Sequence, residues 1–220
     1  MYKGKKILAI IPARGGSKGI INKNLTYFDG KKLLDYTAES LNKIKKLIDR
    51  SIISSDDPKI INYSKKLKII APFIRPKSLS GDRVNIANVL IHSVNYLEKK
   101  YNFFFDIILC IEPTCPLRSH KDIIAAIKKI VNEKRDSVWS ISETDSKYHP
   151  NKQLLASKGY LKFYSKVGNK IIARQQLSKI FHRNGAVYAI SRNFLMNQKK
   201  LIGTNTGYIV SKNYMTSIDS

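Results

Sequence analysis

The run Pro12-Ala13-Arg14-Gly15-Gly16-Ser17-Lys18-Gly19 directly follows the apolar stretch Ile7 to Ile11. Glycines at 15, 16 and 19 let a backbone turn tightly and approach a ligand closely. Amide groups converging in such a turn bind anionic oxygens. Arg14 and Lys18 add positive charge, and a guanidinium forms paired hydrogen bonds with phosphate. Lys23 and Asn24 follow and extend the wrap. The loop has neither the G-x-G-x-x-G spacing of dinucleotide folds nor the G-x-x-x-x-G-K-[ST] spacing of nucleotide hydrolases. These residues point to phosphate or nucleotide binding and leave the reaction open. The competing reading is a glycine-rich surface turn whose basic residues are incidental.

Other reactive side chains say less. His92 lies on an amphipathic stretch, His120 and Asp122 begin another, His149 shapes a turn before Pro150, and His182 precedes Arg183. Their spacing makes no zinc set. Asp56 and Asp57 read as a helix cap and a first-turn charge. Cys110 and Cys115, the two cysteines, read as reduced thiols of a cytosolic protein.

The loop needs a scaffold, and the chain up to about residue 140 supplies one. Apolar runs at 7–11, 50–54, 69–74, 106–111 and 136–141 read as strands, the third interrupted by Pro72. Amphipathic runs at 35–47, 57–67, 85–99 and 122–133 read as helices. Alternation of this kind predicts an α/β fold with a mostly parallel sheet flanked by helices. The strands are continuously apolar, as burial on both faces requires. A ligand loop after the first strand then sits at the carboxyl end of the sheet. The pattern changes near residue 143. A hairpin around Tyr160 to Tyr164 leaves the body, and Asn184-Gly185 reads as a turn into a late strand at Val187 to Ser191. The chain reads as one domain over residues 1–220, with a small protruding segment at about 143–185.

The 40 basic residues against 16 acidic ones give a formal charge of +24. Nucleic acid is disfavoured as a partner, because the lysines are scattered and no arginine-rich arm or zinc-finger spacing occurs. An acidic small molecule suits the charge. The basic opening Met1 to Lys6 and the apolar run after it superficially look like a signal peptide, but the run stops at Pro12. No stretch approaches the roughly 20 apolar residues of a membrane span. The expectation is a cytoplasmic protein.

The run Ile10 to Asn24, IIPARGGSKGIINKN, resembles the signature of the acylneuraminate cytidylyltransferases, which make CMP-activated nine-carbon acidic sugars. Further segments are similar in the same order: Ser54-Ser55-Asp56-Asp57; Arg75-Pro76 with Leu79 and Asp82; Glu112-Pro113-Thr114-Cys115-Pro116-Leu117-Arg118; His149-Pro150; Arg174-Gln175; and Arg183 to Tyr188. The likeness spans nearly the whole chain. It implies a nucleotide-diphospho-sugar transferase-like fold, CTP as co-substrate, Mg²⁺, and a homodimer formed through the protruding segment. It also implies transfer of CMP to a sialic, legionaminic or pseudaminic type of sugar. The alternatives are another acidic sugar such as 3-deoxy-manno-octulosonate, or a weakened CTP-binding homologue.

By this resemblance, Arg14 and Lys23 act on the phosphates. Ala13, Gly15, Gly16, Ser17, Lys18, Asn24, Arg75, Ser80 and Asp82 form the nucleotide site. Glu112, Thr114, Arg118, Lys152, Arg174 and Tyr188 face the acidic sugar. The family carries a metal-binding Asp-x-Asp pair; Asp219 matches its first member, and the second would fall past Ser220. One carboxylate holds magnesium weakly. Either substrate oxygens complete the shell, or catalysis is weakened, or the chain is a truncated product. Glu112 stands where the family usually has glutamine, and a carboxylate only accepts hydrogen bonds. An altered acceptor sugar is the corresponding expectation.

Overall fold

The computed structural model describes residues 1–17, 19–212 and 217–218. Eight strands concern the site: β1 (Ile7–Pro12), β2 (Arg50–Ser54), β3 (Ile107–Cys110), β4 (Ser137–Glu143), β5 (Leu154–Ser157), β6 (Tyr160–Phe163), β7 (Phe181–Ser191) and β8 (Thr206–Val210). Six of them form one sheet in the order β8-β4-β7-β3-β1-β2. β1 runs parallel to β2 and β3, and β8 runs parallel to β4. β7 is inserted antiparallel between β3 and β4. The sheet is mostly parallel, as the alternation of elements predicts.

Five helices accompany it: α1 (Leu33–Asn42), α2 (Pro58–Lys66), α3 (Ile86–Tyr101), α4 (His120–Asn132) and α5 (Arg192–Gln198). β1 shows why its sequence is continuously apolar. Ile7, Ala9 and Ile11 pack on one face with Leu34, Leu41, Ile60 and Ile127 of α1, α2 and α4. Leu8 and Ile10 pack on the other face with Leu90, Val94 and Leu97 of α3 and Leu195 of α5. Successive strand residues point to opposite faces, so a sheet covered on both sides needs apolar residues at every position. Three of the helices start at side-chain caps, and α1 and α4 each begin two residues earlier than the apolar period predicts. Asp57 accepts from Lys59 N at 2.7 Å with Pro58 in the first turn, Asn85 accepts from Ala87 N at 2.9 Å, and Ser119 accepts from Lys121 N at 3.2 Å.

Three local readings need correction. The stretch 69–74 makes no ladder; it touches the sheet only through isolated bridges from Ile70 to Ile52 and Ile74 to Ser55. Pro72 lacks a donor N–H, which prevents a continuous ladder there. Asn184-Gly185 is not a turn before a new strand. It lies inside the long β7, where the β4 register shifts between Trp139 and Ile141. Gly185 has φ of 72° there, as a bulge glycine does. Finally, α5 and β8 lie in a stretch to which the sequence reading assigns no element. β8 joins β4 through non-local pairing, and its five residues include Gly207.

β5 and β6 form a separate two-stranded hairpin. Leu154, Ala156, Leu161 and Phe163 pair across it and share one face. All eight of its strand residues are exposed, including Tyr160 at 80%. Among the described residues, no helix is long and apolar enough to cross a membrane. Cys110 and Cys115 are both buried, and neither is in a disulfide.

Candidate functional site

The parallel arrangement brings the segments after β1, β2 and β3 to one end of the sheet. Ala13 N donates to Ser54 O at 3.0 Å, so the glycine loop leaves β1 alongside the end of β2. Gly15 N donates to Asp56 Oδ1 at 3.1 Å. A Cβ on Gly15 would stand 2.7 Å from the Asp57 side chain, so only glycine allows this close approach. Gly16 faces open space and is not required by sterics. Asn24 is buried and ties the loop together by donating to Arg14 O at 2.9 Å.

A cavity of about 350 Å³ lies against this loop. Arg14, Ser17, Lys23, Asn24, Arg75, Asp82, Glu112 and Thr114 all line it, which unites eight of the expected residues. Leu79, Val84, Ile86 and Val89 give it an apolar wall. Val84, Ile86 and Val89 escaped the reading from spacing because they look like ordinary core positions at and just before the start of α3. Asp56 was likewise read only as part of a helix start. It also holds the Gly15 amide and lies 3.5 Å from Arg75 Nη2.

The charges at this cavity are paired across its mouth. Arg14 donates to Asp82 in a short ion pair. Arg75 is 4% exposed, and neither Nε nor Nη2 has a hydrogen-bond partner among the described residues. Burial lowers its guanidinium below the ordinary value, while Asp56 acts in the opposite direction. Such a donor is costly to leave unsatisfied, and here it lies against a cavity able to admit an acceptor.

Not every expected residue reaches the cavity. Ser80 gives its hydroxyl to Pro76 O at 3.0 Å and is not in the lining. Tyr188 is 5% exposed and packs edge-on against Trp139 at 4.9 Å. Burial, and then Glu112, raise its phenol well above the usual range. Its aromatic ring is a core element rather than an open sugar contact. Arg118 is also buried, and its guanidinium is taken up by the carbonyls of Ala186, Glu112 and Gly185 and by Thr37 Oγ1. It supports the site from behind instead of facing it. Arg174 lines a separate cavity of about 380 Å³ with Glu143, Ser146 and His149. Lys152 sits in a short 3-10 helix at the base of the hairpin and lines neither cavity. Lys18 and Asp219 lie outside the described residues. Ile218 N donates to Thr114 O at 2.8 Å, which brings the chain just before Asp219 to the rim of the first cavity.

Comparison with known proteins agrees with this architecture. The family model for cytidylyltransferases matches residues 8–215. A pseudaminic acid cytidylyltransferase of Campylobacter jejuni is 29% identical over 217 residues, covering 98% of this chain and 91% of that protein. An N-acylneuraminate cytidylyltransferase of Streptococcus agalactiae is 26% identical over 98% of this chain and 51% of its own length. A solved CMP:2-keto-3-deoxy-manno-octonic acid synthetase complexed with CTP shares the fold, with a TM-score of 0.71 at 14% identity, covering 98% and 94% of the two chains. With the match running from β1 past β8 and through the whole phosphate loop, this chain belongs to the cytidylyltransferase family.

Proposed function

We propose that this chain transfers CMP from CTP to the anomeric hydroxyl of a nine-carbon acidic sugar and releases pyrophosphate. The observation that carries this reading is the buried Arg75 guanidinium, paired with Asp56 at 3.5 Å and with Nε lacking a hydrogen-bond partner among the described residues, in a cavity walled by the glycine loop and Arg14. The names of the Campylobacter and Streptococcus relatives support the sugar class. In the reaction the sugar hydroxyl oxygen bonds to the α-phosphorus and loses its proton. The bridge to the β-phosphate breaks, and its electrons leave with pyrophosphate.

Two anions must approach each other before bonding. Arg14, Lys23 and the amide of Gly16 are the groups that would offset this repulsion and stabilise the leaving phosphates. Exchange of the Asp82 carboxylate for a phosphate oxygen on Arg14 replaces one ion pair by another. Val84, Ile86 and Val89 offer the nucleoside an apolar face. Holding nucleotide and sugar in line supplies the remaining acceleration.

A divalent cation suits the donors at this rim. Glu112 lines the cavity, and Asp219 follows Ile218, whose amide bonds Thr114. Among the described residues no group of three or more His, Cys, Asp or Glu could hold a metal ion. Magnesium takes much of its shell from phosphates and water, so few protein carboxylates are needed. When bound it would neutralise phosphate charge, with Asp219, which lies outside the described residues, as the ligand the family resemblance assigns.

The segment 143–185 serves as the dimerisation element of a single-domain enzyme in the cytosol. Its support is the exposed apolar face of β5 and β6. Arg174 and Lys152 belong to this segment and act on the acidic sugar from there.

The test is pyrophosphate release with CTP, Mg²⁺ and, in turn, sialic, legionaminic, pseudaminic and 3-deoxy-manno-octulosonic acids. Release is expected only with CTP and a nine-carbon acid together. Turnover confined to the eight-carbon acid would move the assignment to that sugar. Tight CTP binding without turnover on any acid would sink the enzymatic reading.

A further inference from the structure

Arg118 is an arginine buried without a carboxylate in contact among the described residues. It is 5% exposed, and its Nε donates to Ala186 O while Nη2 donates to Glu112 O. Nη1 reaches Thr37 Oγ1 at 3.2 Å and Nη2 reaches Gly185 O at 3.5 Å. Burial lowers its guanidinium below the ordinary value, with Cys115, Glu112 and Cys110 acting in the opposite direction. Burying a charged group is costly, and a planar fork loses less freedom per bond than a flexible ammonium would.

The atoms it joins belong to the two sides of one site. Glu112 and Thr114 line the nucleotide cavity on the segment after β3. Gly185 and Ala186 form the irregular part of β7, where Gly185 has φ of 72°. These two segments also meet directly, since a Cβ on Gly185 would stand 2.9 Å from Glu112 Oε2. The β7 irregularity is braced independently from the other side. Asn184 donates to Ser142 Oγ and Ser211 Oγ, both at 2.9 Å, and accepts from Ser140 Oγ at 2.6 Å and Ala186 N at 3.1 Å. With Asn184 holding the bulge to β4, and the β3–β7 ladder ending at Cys110 and Tyr188, Arg118 ties the bulge to the cavity rim beyond that ladder.

We propose that Arg118 is a positioning residue for the transfer step: its guanidinium sets the distance between the Glu112–Thr114 rim and the Gly185–Ala186 bulge, and so places the acceptor sugar. This rests on the transfer function proposed above. The phosphate loop and Arg75 hang from β1 and β2, and among the described residues the hydrogen bonds of this guanidinium go elsewhere, so the phosphate end of CTP is held independently of it. Lysine at 118 keeps the charge but loses the fork. It reaches one carbonyl instead of three.

The experiment compares wild type, Arg118→Lys, Arg118→Gln and Thr37→Val by CTP calorimetry, by acceptor kinetics and by thermal unfolding. In folded Arg118→Lys, kcat/KM for the acceptor should fall about 100-fold, the scale of an ångström-level misplacement. The CTP Kd should stay within about threefold, and Arg118→Gln should lose no less than the lysine variant. Thr37→Val removes one of the four partners at constant volume and remains the test if the arginine variants do not fold. It should lower acceptor kcat/KM about fivefold, again sparing CTP. Parallel loss of CTP affinity and turnover, or acceptor kinetics unchanged in a folded variant, would overturn the positioning role. A wild type that binds CTP yet turns over no acid defeats the transfer reading first, and positioning with it. Active wild type with no such split in the variants defeats only the role of Arg118.

Discussion

At the scale of single residues, identity and placement separate. Arg14 and Arg118 are both arginines in motif-like segments, yet one stands at the mouth of the cavity and the other behind its wall. Arg14 is a partly exposed side chain whose loss leaves the core intact. Arg14→Ala should therefore lower kcat/KM by about 10²–10³-fold, the usual loss for one charge-stabilising donor. The accompanying change in stability should be within about 0.5 kcal/mol, as for surface substitutions. Steady-state kinetics beside thermal unfolding check this, and equal losses of folded protein and rate would remove Arg14 from the phosphate site. Glycine shows the same separation. Gly15 is required because Asp57 crowds its Cα, whereas Gly16 would accept a Cβ in open space.

At the scale of elements, the hairpin is the part whose own neighbours leave it unexplained. Leu154, Ala156, Leu161 and Phe163 present an apolar face that the described residues leave largely exposed. A two-stranded hairpin is marginal in water unless its face is packed. Phe163 does pack at its base, where a Cβ on Gly168 would stand 2.5 Å from the ring. Sedimentation of the wild type should accordingly report a dimer. Leu161→Glu, placing a charge in the centre of that face, should yield monomers with an unchanged body melting transition. A monomeric wild type, or a variant that still pairs, would reject the interface.

At the scale of the whole molecule, the charge of +24 acts in two opposing ways. Like charges repel within the folded chain and destabilise it, while the same field attracts CTP and an acidic sugar. Salt shortens the Debye length from about 30 Å at 0.01 M to about 8 Å at 0.15 M. Raising NaCl over that range should raise the melting temperature and weaken CTP binding at the same time. Differential scanning calorimetry and titration calorimetry read the two signs. A melting temperature that falls together with CTP affinity would show that screening of attractive ion pairs dominates.

The sequence by itself determined the alternating elements, the two-sided burial of β1 and the phosphate loop at its end. These are local matters: the period of apolar residues, the cap at Asp57 and a crowded glycine turn are each written in adjacent residues. It also named eight side chains that line the cavity beside the loop. Tertiary structure alone decided which of the named residues face the cavity. Arg118 and Ser80 carry the same chemistry in sequence as Arg14 and Ser17, which line it, but the carbonyls and turn they meet, like the ring that Tyr188 meets, are contributed by the fold. The antiparallel insertion of β7, its bulge at Gly185 and the pairing of β8 with β4 depend on contacts between distant segments. No periodicity encodes such contacts, because the partner of a strand is chosen by packing across the chain and not by the residues beside it.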